Sequence, residues 1–184
     1  MAILIKAAQV LCGLSISILC YTMAQYIAAR LFNTRVEKLY LFFDFLFPFP
    51  GLLNFALFKK KVGHTEFGLG WMPLGGYLKI AGMDEVLPGE EGMPARDYEF
   101  GSKKRYQRYI ILSAGIIGNL MLLALLYWLL SGSGAKGLFG WFWPVTPLSP
   151  VWNWYSFGRL TAFISLLIVV SNTLQLPALL RQWR

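Results

Sequence analysis

Few residues in this chain can hold a metal or move a proton. Its 184 residues contain one histidine, two cysteines and nine carboxylates. A zinc site draws three or four ligands from imidazole, thiolate or carboxylate. His64, in a Lys/Gly turn, supplies one such ligand and never three. Cys12 and Cys20 stand eight positions apart, about 12 Å along one helix, which is too far for a disulfide. In an apolar stretch they read as small fillers rather than soft metal ligands. All nine acids (Glu37, Asp44, Glu66, Asp84, Glu85, Glu90, Glu91, Asp97 and Glu99) fall between residues 37 and 99. The polar groups at depth in the flanking apolar stretches include the amides of Gln25, Asn119, Asn172 and Gln175, which provide no ion path for a transporter or channel.

The elements that must position these groups follow from composition. Hydrophobic residues make up 57% and charged residues 14%, against about 25% charged in an ordinary soluble domain. Mean hydropathy is +0.53. Disorder is excluded, because the chain has too much to bury, and an α-helical integral membrane protein is the class implied. Three uncharged or nearly uncharged stretches, 3–30, 109–130 and 158–180, each suffice for one crossing at about 1.5 Å per residue. The first is too long for a signal-peptide core and lacks a following polar mature sequence.

The net charge of +8 is explained by topology rather than by nucleic acid. Twelve of the seventeen basic residues lie between Arg30 and Arg108, whereas the loop 131–156 has only Lys136. Positive charge stays on the cytoplasmic side, so the N-terminus is expected outside and the C-terminus, with Arg181 and Arg184, inside. In a bacterium this is the inner membrane, with 131–156 periplasmic. Trp141, Phe142, Trp143, Trp152, Trp154 and Tyr155 read as an interfacial aromatic belt. Lys103, Lys104, Arg105 and Arg108 read as the cytoplasmic flank of the second span.

The central segment is less ordinary. Within residues 37–82, Leu39 to Phe58 is apolar but broken by Asp44, Pro48, Pro50 and Gly51, which forbids a spanning helix. Gly, Pro, aromatic and β-branched residues from Phe67 to Ile80 predict short strands and tight turns. Backbone of this kind survives at membrane depth only where protein or a polar cavity covers it. A membrane-associated β-hairpin packed on three helices is therefore expected, followed by a polar cytoplasmic loop at 83–108.

Three blocks carry a family resemblance. Ala24 to Lys38 resembles the end of the first core helix of site-2 proteases, the intramembrane zinc metalloproteases of peptidase family M50. Thr65 to Gly82, with Phe67-Gly-Leu-Gly-Trp-Met-Pro-Leu-Gly-Gly-Tyr at its centre, is similar to their membrane-dipping hairpin. Glu99 to Asn119 is similar to the approach to their second core helix. Order and spacing match over roughly 3–130, most closely to RseP-like bacterial members.

The resemblance implies a His-Glu-x-x-His run on the first helix, whose imidazoles at i and i+4 hold zinc while the Glu acts on bound water. Here those positions hold Tyr21, Thr22 and Gln25, and the family's third ligand, an Asp, aligns with Leu180. A phenol of pKa about 10, a neutral amide and a leucine form no zinc donor set. Neither metal nor cofactor is expected. Tyr21, Gln25 and Asn119 are expected to hydrogen-bond across the bundle. RseP-like members carry PDZ domains between their second and third core helices, and the loop 131–156 is too short for one. The implied function is that of a catalytically inactive relative that binds other integral membrane proteins or transmembrane segments, as a complex subunit or by capture. Its partner-binding residues would be Phe67, Gly68, Leu69, Gly70, Pro73, Gly75, Gly76, Tyr77 and Asn119, through an exposed hairpin edge. An active M50 metalloprotease with displaced ligands is the alternative.

Overall fold

The computed structural model describes residues 2–44, 55–72, 75–83, 96–131 and 154–182. Three long helices dominate: α1 (Ala2–Leu31), α2 (Arg105–Ser131) and α3 (Trp154–Gln182). Each contains a stretch long and apolar enough to cross a membrane. All three pack against one another. Their outward faces carry large apolar side chains such as Ile27, Met121, Trp128 and Leu174, which suits lipid rather than water.

Between α1 and α2 lie four strands, β1 (Val36–Tyr40), β2 (Ala56–Val62), β3 (Thr65–Gly70) and β4 (Tyr77–Ile80). They form one sheet of order β2-β3-β1-β4. β2 and β3 make an antiparallel hairpin around Gly63 and His64, with Gly63 at φ +62. β1 then lies parallel to β3 and antiparallel to β4. The hairpin expected over Thr65–Gly82 is not formed: its two strands, β3 and β4, are separated by β1, and the hairpin present joins β3 to the preceding strand β2. Its neighbour β1 comes from the residues just after the first helix, where Val36, Leu39 and Tyr40 are buried.

The sheet is fixed to the helices by a shared apolar junction. Ala28 and Ala29 of α1, Val36, Ile80, Phe100, and Ile111, Leu112 and Ala114 of α2 form one buried cluster. Phe100, at 0% exposure, is its largest member, and full burial of such a ring contributes about 1.5–3 kcal/mol. Backbone bonds continue the lock: Arg35 N–H donates to Tyr98 O (2.9 Å), Ala81 N–H to Arg35 O (2.9 Å) and Phe100 N–H to Ala81 O (2.8 Å). Just past the end of α1, Asn33 has a φ of +52, the left-handed conformation that closes a helix. Thr34 N–H turns back to Ala29 O at 2.9 Å.

Candidate functional site: a polar seam through the helices

Every fourth residue of one α1 face is small or polar: Gly13, Ser17, Tyr21 and Gln25. That spacing stacks them on one side of the helix, and the side faces α3. Ser17 and Ser165 share a hydrogen bond at 2.8 Å, both fully buried. One turn on, the Tyr21 hydroxyl donates to Asn172 Oδ1 at 3.0 Å. Gln25 Nε2 donates to the Tyr21 hydroxyl at 3.4 Å. Asn172 uses its own Nδ2 on Ile168 O at 2.8 Å, and Thr22 bonds back to Ile18 O at 2.9 Å. Polar contacts of this kind between membrane helices contribute about 0.6–2 kcal/mol each.

The α2 side of the seam is made of glycine. A Cβ on Gly115 would stand 2.5 Å from the Tyr21 ring, and one on Gly118 would stand 2.5 Å from Ala24 Cβ. The phenol therefore lies directly over α2 backbone. Cys20 Sγ donates to Gly118 O at 3.3 Å; the thiol is a packed filler of the α1–α2 contact. Between α1 and α3 an apolar groove of about 360 Å³ opens, lined by Val10, Leu14, Ile164, Leu167, Ile168 and Asn172 among others.

The sequence reading joined Tyr21, Gln25 and Asn119. Tyr21 and Gln25 do bond, but Asn172 takes the place given to Asn119. The Tyr21 ring crosses Gly115, a turn before Asn119, and its hydroxyl reaches past α2 to α3. Asn119 is fully buried, and neither its amide nitrogen nor its oxygen has a partner among the described residues. The spacing of Gly115 and Gly118, and the seven-residue step from Ser165 to Asn172, were the available signals for the true contact.

The sheet residues predicted to bind a partner are found in two roles. Phe67 sets its ring edge-on to Tyr26 at 5.7 Å, and Leu69 pairs with Phe58 across the hairpin. Gly68 lies under the Tyr40 ring, Gly70 and Gly76 against the carbonyls of residues 40–43, and Gly75 against the Phe43 ring. β3 is bonded on one side to β2 and on the other to β1, so the edge expected along Phe67–Gly70 is closed by the unforeseen strand β1. The outer strands are β2 and β4. Pro73 lies outside the described residues.

A second polar group sits on the sheet. Tyr40 stacks on Tyr77 with ring centroids 5.0 Å apart. Tyr40 donates to Glu66 Oε1 at 2.6 Å, and Tyr77 to Asp44 Oδ1 at 3.3 Å. Burial first, then the Glu66 carboxylate, pushes the Tyr40 phenol well above its usual range. Burial and Asp44 do the same to Tyr77. The Tyr40 hydroxyl in turn holds the Glu66 carboxyl below its ordinary range.

A family model described as peptidase family M50 matches residues 9–175. The chain belongs to peptidase family M50. It is 36% identical over 86 residues to a Chlamydia pneumoniae protein named "Putative zinc metalloprotease", covering 44% of this chain and 14% of that one. Proteins of the same name from Helicobacter pylori and Campylobacter jejuni are each 30% identical over 125 and 127 residues. These matches cover 68% of this chain and 33% and 31% of theirs. The chain thus spans a third or less of these relatives.

M50 membership implies zinc, and the residues present do not fit it. Tyr21 and Gln25, which the resemblance sets at the two histidine positions, are bonded to each other, and the Tyr21 proton is engaged by Asn172. The ring fills the space over Gly115. Leu180 lies in the last turns of α3 and has no donor atom. Among the described residues no three of His, Cys, Asp and Glu converge. A hydroxyl spent on an amide oxygen is not the anionic or imidazole donor that zinc takes.

Proposed function

We propose that this M50 member is non-catalytic and acts by holding other membrane proteins, as a subunit of an inner-membrane complex or by capturing a transmembrane segment. The observation that carries this reading is the Tyr21–Asn172 bond. The family's metal position is occupied by a phenol packed on Gly115 and tied to the third helix. The closed seam supports a scaffold in which the chemistry has been replaced by helix packing.

The binding half of the reading is supported by β2. This terminal strand of the sheet leaves Leu57, Phe58 and Val62 more than half exposed. Lys59, Lys60 and Lys61 stand exposed between them, so the edge is mixed rather than apolar; the backbone groups of this outer strand still offer pairing to a partner strand. The orientation that goes with this reading puts the sheet at the cytoplasmic face.

The experiment is purification in mild detergent, with metal analysis and identification of co-eluting proteins. No bound zinc, together with a stoichiometric membrane-protein partner, is the expected result. A stoichiometric zinc removable by chelator, or a chelator-sensitive peptide cut, overturns the non-catalytic reading in favour of a metalloprotease with displaced ligands. A lone monomer in every detergent overturns the binding reading.

A further inference from the structure

Just beyond the last turn of α1 lies a cleft of about 320 Å³ lined by Arg30, Asn33, Thr34, Arg35, His64 and Tyr98. It brings together three segments that are distant in sequence: the α1–β1 joint, the β2–β3 turn and the stretch before α2. We propose that this cleft binds a phosphate group, presented at headgroup depth by an anionic phospholipid.

The donors are in place and unspent. The Arg35 guanidinium lies over the Tyr98 ring, 5.5 Å from its centroid, and its Nε is buried with no acceptor among the described residues. The Thr34 hydroxyl, on a residue 1% exposed, also lacks a partner there. Buried donors left unmade cost free energy, so both point to an acceptor that arrives from outside. Arg30 and His64 are exposed at the rim, and neither has an ion-pair partner among the described residues. Lys103, which bonds Asn33 O at 3.2 Å and Asp97 O at 2.6 Å, adds positive charge behind the wall.

The opposing effect is the helix dipole. The C-terminus of α1 carries about −0.5 charge and disfavours an anion. Two guanidiniums outweigh it. An arginine fork matches two oxygens of a tetrahedral anion, and a hydroxyl donor serves a third. The depth follows from α1: its final turn ends a helix long and apolar enough to cross a bilayer, so the cleft sits where headgroup phosphates lie.

The test uses the full chain in neutral detergent, titrated with phosphatidylglycerol or phosphatidylcholine and observed by native mass spectrometry. Wild type is expected to hold one phosphatidylglycerol far above its phosphatidylcholine level. Arg30→Gln and Arg35→Gln are each expected to weaken this about fivefold. Thr34→Val, which keeps shape and charge, weakens it by a similar factor. Lys60→Gln, on exposed β2 outside the cleft, leaves it unchanged. In a second arm inorganic phosphate is added. Persistence of the lipid adduct assigns the cleft to the headgroup, and displacement by millimolar phosphate transfers it to the free anion and overturns the lipid source. Equal binding of the two lipids overturns the proposal. So does wild-type binding by Arg30→Gln and Thr34→Val, both of which leave the fold's apolar junction untouched.

Discussion

Tyr21 carries the functional argument, and its hydroxyl and ring have separable effects. Tyr21→Phe keeps the ring over Gly115 but strips Asn172 Oδ1 of its donor and Gln25 of its acceptor. The expected loss is about 1–2 kcal/mol, measured by thermal unfolding in detergent. A loss beyond 3 kcal/mol contradicts the modest worth assigned to the seam's hydrogen bonds. On the sheet, Tyr40 and Glu66 predict two pH effects of opposite sign. Glu66 is lowered in the fold, so its stabilisation is present above about pH 4.3, the unfolded value, and is lost as pH falls through the lower folded value. Tyr40 is raised, so its protonated form contributes full stabilisation to the sheet below about pH 10, and that contribution is lost as pH rises from there through the raised folded value. Tyrosinate absorbance should therefore lag a free-tyrosine control at pH 10, and Tyr40→Phe should flatten the acid limb of the stability curve. The shared face of Tyr21 and Gln25 was legible from their four-residue spacing. The Asn172 contact was not, because it depends on the relative rotation of three helices, which no local spacing records. Asn119 has the same residue type, yet its amide is outside the reach of the phenol.

At the scale of elements, the α1–α2 contact rests on missing side chains. Gly115→Ala forces a methyl to within 2.5 Å of the Tyr21 ring and should destabilise by about 1–3 kcal/mol. Combined with Tyr21→Ser, the added cost should nearly vanish, because the clash has gone. Additive losses in that double variant would show that Gly115 acts independently of the ring. The sheet offers the complementary test on an exposed surface. Leu57→Lys and Phe58→Lys lie on exposed positions of β2, where folding stability should change by no more than about 0.5 kcal/mol. Recovery of a co-purified partner should nevertheless fall sharply. Strand content around Phe67–Ile80 was legible from its glycines, aromatics and β-branched residues. The place of β1 was not, since Val36–Tyr40 is a five-residue strand beside a long helix. It joins β3 in parallel after a long excursion, a pairing that no hairpin signal marks.

The whole molecule was the most legible scale. A chain with 57% hydrophobic residues and its acids confined to one segment leaves few choices beyond helices in lipid, and among the described residues three helices are long and apolar enough to cross a membrane. The lysine and arginine asymmetry predicts a cytoplasmic C-terminus. Reporters fused after Arg184 should be active only inside the cell, and an active periplasmic reporter there would reverse the orientation. A mechanical consequence follows from the short joint at Asn33. A thirty-residue helix is about 45 Å long, well beyond a hydrocarbon layer of about 30 Å, and such mismatch is relieved by tilting. Only four residues separate α1 from β1, and the last of them, Arg35, is bonded through its backbone to Tyr98 and Ala81. The helix is thus a lever with the sheet rigidly mounted on its end. Thickening the bilayer would draw α1 upright and lift the sheet, while thinning it would swing the sheet sideways. Bilayer thickness would thereby set how deeply the β2 edge is immersed, where Leu57 and Phe58 precede the lysines Lys59, Lys60 and Lys61.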